Sequence, residues 1–177
     1  MRQQEPHDPR AGSSLAASAS ARWAAGAFRA AGARTVLALG AGHGPDAAFL
    51  ARAGLTVRTA GLRVPLPLPE AGVDAVFAPL VLCAVLTTRE VRAAVDEIGR
   101  VLRPGGLLVY TVRHTGDPHF RTGVHRGGTV YEHDGVAVHF FDADLLHALS
   151  RGWHVHGVQA FEEGELPYRL WRVTQAR

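Results

Sequence analysis

The stretch Thr35-Val36-Leu37-Ala38-Leu39-Gly40-Ala41-Gly42-His43-Gly44-Pro45-Asp46 decides the fold class. A short apolar, partly β-branched run ends in glycines, as a strand buried on both faces does before a tight turn. Pro45 suits the first turn of a helix, Asp46 favours its positive end, and Gly54 sits just past its end. Strand, glycine turn and helix therefore follow in order. Backbone without Cβ lets a ligand approach closely, and the first N–H groups of a helix are free to meet it. A nucleoside or carboxylate-bearing cofactor is the natural occupant. Tight strand-to-helix turns also need glycine for structural reasons alone, and the spacing is not the GxGxxG of a dinucleotide site.

Residues 55–60 and 73–78 read as further strands. The strongest helix signal follows. Thr87 and Glu90 have capping-box spacing, and Val91, Val95, Ile98 and Leu102 fall at i, i+4, i+7 and i+11. Arg103-Pro104-Gly105-Gly106 stops that helix, and residues 107–112 form another strand with apolar residues on both faces. The repeated βαβ pattern predicts an α/β fold with a mostly parallel sheet and helices on both sides. After Val112 the pattern changes. Residues 129–133 and 136–140 flank Asp134-Gly135, a two-residue hairpin signal, and Asp142 caps a helix over 143–150 with Leu145, Leu146 and Leu149 facing inward. Residues 153–161 and 168–174 read as an antiparallel hairpin added to the sheet.

Composition removes several mechanisms. The chain has 177 residues, 47% hydrophobic and 20% charged, enough for one ordinary core. The predicted organisation is a tail with an alanine-rich helix over 1–33 and a single domain over 34–177. All 19 basic residues are arginine. Without lysine there is no Schiff-base chemistry and no phosphate-loop lysine. With Cys83 alone there is no internal disulfide and no CxxC pair, and a reducing, cytoplasmic setting is expected. The net charge of +3 and pI near 9.7 are spread along the chain without a basic run, so no nucleic-acid partner is expected. No apolar stretch is long enough to span a membrane, and the first ten residues do not resemble a secretory signal. Residues 10–34 contain arginine, serine and alanine but no acid, a composition shared by an alanine-rich helix and an organelle transit peptide. Eight of the ten histidines lie between His114 and His156, none in an HExxH pattern, and no metal site is expected. Cys83 reads as a small buried hydrophobe, and Glu162, Glu163 and Glu165 as solvated turn residues.

VLALGAGHGPDAAFLA, VDAVFAPLVLCAVL and EIGRVLRPGGLLVYTVRHTGD together resemble class I S-adenosylmethionine-dependent methyltransferases over residues 34–174. TVRHTGD, with the later VHFF and capped helix, is similar to the tellurite-resistance branch. The resemblance implies a Rossmann-like three-layer sandwich with an antiparallel C-terminal strand. It also implies S-adenosylmethionine held at Gly40, Ala41, Gly42, His43, Gly44 and Pro79, and methyl transfer by in-line displacement.

The chain departs from that pattern. Ala38 stands where an acid usually precedes the first glycine, and the second strand ends Arg58-Thr59-Ala60-Gly61 without a carboxylate. Residues 61–71, with Pro65, Pro67 and Pro69, are too short for the helix, strand and adenine-side acid that relatives place there. One edge strand and its helix are therefore expected to be missing. The newly exposed edge would favour a homodimer unless the proline-rich segment covers it. Each charge-assisted hydrogen bond contributes roughly 1.5 to 3 kcal/mol, so losing two weakens cofactor binding by about two to four orders of magnitude.

Arg113 and His114 emerge at the carboxyl end of a strand, where open α/β sheets bind ligands. An arginine fork binds oxyanions and histidine moves protons near neutral pH, so these two are the candidate catalytic residues, with an oxyanion or soft nucleophile as the small-molecule acceptor. Phe77-Ala78-Pro79 lacks the acid or asparagine that holds an amine, which disfavours amino-methylation of nucleobases. The alternative is a non-catalytic binding module that keeps the fold with weakened cofactor affinity.

Overall fold

The structure, a computed structural model, describes residues 16–40, 44–85, 87–164 and 167–177. It begins with helix α1 (Ala19–Ala30), capped by Ser18, whose hydroxyl accepts from the N–H of Ala21. The acid-free composition of residues 10–34 thus resolves, from Ala19 onward, into a helix whose alanines and Phe28 pack on the sheet. Strand β1 (Thr35–Leu39), helix α2 (Pro45–Arg52), β2 (Thr56–Ala60) and β3 (Val73–Pro79) follow. Next come a single 3-10 turn over Val81–Ala84, α3 (Thr88–Val101) and β4 (Leu102–Arg113).

The central sheet has the order β2-β1-β3-β4-β9-β8, where β8 is His154–Glu163 and β9 is Tyr168–Ala176. All neighbouring pairs are parallel except those that β9 makes with β4 and β8. Alternating residues send one apolar set to each face. Val36, Ala75, Phe77 and Val109 meet α1 and α2 on one side. Leu37, Val76, Leu108 and Tyr110 meet α3 and α4 (Ala143–Leu149) on the other. The chain turns left from β1 to β2 and crosses right to β3, so the strand order reverses between β1 and β3, and a crevice opens at their carboxyl ends.

Residues 61–72 form neither helix nor strand, and β2 is a sheet edge. Leu66 and Leu68 turn inward instead and join the core on the α3 side. Glu97 accepts from the N–H of Leu66 at 2.6 Å, and Arg100 donates to the carbonyl of Leu68 at 2.9 Å. The proline-rich segment is thus a strap packed against the α3 side of the core.

Two features depart from the sequence reading by more than a residue or two at an element's end. β4 begins at Leu102 rather than Leu107, because α3 passes straight into extended backbone and Leu102 pairs with Val73 before Arg103-Pro104-Gly105-Gly106 bulges out. The long connection after β4 holds a three-stranded sheet, β5 (Val124–Gly127), β6 (Val130–His133) and β7 (Val136–His139). Its first strand is fully exposed and carries no alternation to read. Between β6 and β7, Asp134 and Gly135 both adopt positive φ, as a hairpin twisted with its strands requires.

Candidate functional site

A cleft of about 980 Å³ opens at the reversal point. Its floor is Gly40, at the end of β1, and Pro79, at the end of β3. Gly40 has φ +127 and donates its N–H to Ala60 at 3.0 Å, and a Cβ there would lie 3.1 Å from the Val81 side chain. The position therefore needs glycine both for conformation and for space.

One wall is the start of α2. Gly44 is its N-cap and has no side chain of its own to bond the first N–H groups, so among the described residues the positive helix end faces the cleft uncapped. The opposite wall is the start of α1. Asp46 joins the two, accepting from the N–H of Ser18 at 2.7 Å and from its hydroxyl at 2.9 Å. Gly61 and Leu62 close the side beyond β2, and Leu80, in left-handed backbone at φ 58, turns the chain away after β3. Glu163, the last residue of β8, is half-buried at the cleft's edge. Burial raises its carboxyl above the ordinary glutamate range, and the charge of Asp46 pushes the same way.

Of the cofactor-binding residues read from the sequence, Gly40, Gly44 and Pro79 line this cleft together. Ala41, Gly42 and His43 lie outside the described residues. Arg113 and His114 do not line it. Arg113 is committed to Asp117, donating from Nη2 to Oδ1 at 2.7 Å and from Nε to Oδ2 at 3.2 Å. Its guanidinium is also held between the rings of Tyr168 (4.1 Å) and Phe140 (4.9 Å). A buried acid four residues along the chain thus engages the Arg113 fork in this structure. His114 stacks on Trp171 at 4.6 Å, and its Nδ1 accepts from the N–H of Gly116 at 3.0 Å. Burial lowers its pKa below the ordinary histidine value, against the opposing charge of Asp117.

Cys83 is buried, receives the N–H of Arg113 on its sulfur at 3.1 Å, and is pushed by burial up to about 12, which leaves it a thiol. Ser18, Asp46 and Glu163 are among the polar cleft residues that sequence reading missed as site residues. Asp46 shows locally as a helix-start acid, but its bond to Ser18 spans 28 positions and leaves no sequence signal. Glu163 lies beside two other glutamates and reads as surface, and only the pairing of β8 with β9 brings it to the cleft.

Residues 48–110 match the family model described as a methyltransferase domain. No protein of curated function matches the sequence. Among solved structures, the fold is similar to 1,6-didemethyltoxoflavin-N1-methyltransferase of Burkholderia thailandensis, crystallised with 1,6-didemethyltoxoflavin and S-adenosylhomocysteine. The TM-score is 0.68 at 19% identity, covering 90% of this chain and 78% of that one. It is also similar to an S-adenosylmethionine-dependent methyltransferase of Mesorhizobium loti, with a TM-score of 0.63 at 19% identity, covering 89% of this chain and 98% of that one. A third is the N-methyltransferase NodS of Bradyrhizobium japonicum with S-adenosylhomocysteine, with a TM-score of 0.59 at 11% identity, covering 90% and 88%. The fold is that of Rossmann-like methyltransferase structures, and the family match covers residues 48–110 of it.

Proposed function

We propose that the chain binds S-adenosylmethionine in the cleft between β1 and β3 and transfers its methyl group to a small-molecule acceptor. The observation that carries this reading is the joint lining of one cleft by Gly40, Gly44 and Pro79, at the point where the strand order reverses. The cofactor fits what is there: Gly40 leaves room that a Cβ would fill, and the uncapped start of α2 presents N–H groups suited to a carboxylate. When bound, the cofactor supplies an electrophilic methyl group on a sulfonium. Gly40 and Gly44 would hold its amino-acid end, and Pro79 and Leu80 would bound the side on which an acceptor approaches. Proximity and orientation within the cleft do most of the work, and an acceptor that is already anionic needs no general base.

No carboxylate ends β2, where Arg58-Thr59-Ala60-Gly61 stands, so the chain's grip on the ribose side is weak. Calorimetric titration with S-adenosylmethionine and S-adenosylhomocysteine tests this. The expected result is saturable 1:1 binding, weaker than low-micromolar, and low-micromolar binding by either would overturn the weak-grip reading. Incubation with labelled S-adenosylmethionine and selenite, tellurite or thiol acceptors then tests for the soft nucleophiles that the TVRHTGD stretch suggests. No turnover together with no cofactor binding would leave the non-catalytic module as the remaining reading.

A further inference from the structure

Glu163 is a cleft residue without a structural task. It is half-buried, it lines the cavity, and among the described residues its carboxylate has neither a hydrogen-bond donor nor a cation. The other charged side chains lining the same space make hydrogen bonds of their own. Asp46, on α2, has both oxygens on Ser18, and Arg22, on α1, donates to the carbonyl of Ala17 at 2.6 Å. Its sequence neighbour Glu162 faces Arg169 on the adjacent strand at 3.4 Å. Burying a carboxylate beside a second acid is unfavourable unless a positive charge arrives to share the space. A half-buried carboxylate that lines a cleft without a partner among the described residues points to a ligand.

We propose that Glu163 is the cleft's cation-receiving group, a binding residue that takes a positively charged centre of the occupying ligand. This rests on the reading that the cleft holds S-adenosylmethionine, which carries two such centres, the sulfonium and the α-ammonium. Asp46, held to Ser18 and fixed in place, adds long-range attraction without contact. Consequently the cleft discriminates by charge: a cationic ligand gains a partner that a neutral one of similar shape does not.

Three compounds separate the possibilities. S-Adenosylmethionine carries both centres, S-adenosylhomocysteine only the ammonium, and 5′-methylthioadenosine neither. Dissociation constants for each are measured by NMR or calorimetric titration on the wild-type chain, on E163Q, and on E162Q as a neighbouring control. The expected result is that E163Q weakens S-adenosylmethionine about fivefold to tenfold and leaves 5′-methylthioadenosine unchanged, while E162Q changes nothing. If S-adenosylhomocysteine weakens equally the group received is the ammonium, and if it does not, the sulfonium. Equal affinities of wild type and E163Q for all three would overturn the inference and leave the proposed function standing. A wild-type chain that binds none of the three overturns both.

Discussion

Asp117 is the most heavily used side chain in the loop after β4. Its Oδ1 accepts from Arg113 and from the N–H of His119 at 2.8 Å, and its Oδ2 accepts from Arg113 and from the N–H of Arg169 at 2.9 Å. The acid is fully buried, and Arg113 nearly so. Burial opposes its ionisation, but the Arg113 fork and the two backbone N–H groups outweigh burial and hold the carboxyl below the ordinary aspartate range. Replacing it by Asn leaves the arginine between two rings without its counter-charge. D117N is therefore expected to lose about 3 kcal/mol in chemical denaturation, and a loss under 1 kcal/mol would show that the pair carries little. The pH dependence has a definite sign. A depressed carboxyl contributes fully above its unfolded value of about 3.9 and loses that contribution as pH falls through the lower folded value. Acid unfolding monitored by circular dichroism should accordingly begin at higher pH in D117N than in the wild type. Arg113 also shows where sequence reading stops. Its place at a strand end was legible, but the acid four residues later gave no sign of folding back onto it rather than facing solvent.

At the scale of elements, the punctuation of helices was legible because caps are local. The hydroxyl of Thr87 receives the N–H of Glu90 at 3.2 Å, and Asp142 receives that of Leu145 at 2.8 Å, both from residues three positions away. Asp74 was seen only as part of a VDAV strand. It binds the N–H groups of Arg34 and Thr35 and the hydroxyl of Thr35 at 2.9 Å each, and it pairs with Arg103 at 2.7 Å. It thereby ties the start of β1 to the bulge that opens β4, at the end of the sheet opposite the cleft. Gly106 in that bulge is closely confined, since a Cβ would sit 2.8 Å from the carbonyl oxygens of both Arg103 and Asp74. G106A is predicted to cost about 2 kcal/mol or more by thermal or chemical unfolding, with cofactor affinity unchanged. The proline-rich strap makes a separate prediction. Leu66 is 3% exposed, so L66A should lose about 2 to 5 kcal/mol, as core truncations do. A loss under 0.5 kcal/mol would mean that the strap merely lies on the surface.

For the whole molecule, the alternation of strands and helices fixed the class of fold in advance, because buried parallel strands and capped helices announce themselves over short windows. The order of strands, the insertion of β9 between β4 and β8, and the arrival of Glu163 at a cleft formed by residues far earlier in the chain are non-local and have no such signal. The site is legible on its β1 and β3 sides, where glycines and a proline mark backbone that must come close, and illegible on its α1 and β8 sides. The central claim is that the cleft at the reversal point holds the cofactor through Gly40 and the open start of α2. Calorimetric titration of S-adenosylhomocysteine into the wild-type chain and G40A tests it most directly. The account predicts 1:1 saturable binding to the wild type and an affinity about tenfold lower or worse in G40A, where the added methyl meets Val81. Only heats of dilution from the wild type at millimolar ligand, or equal affinities in the two proteins, would contradict it.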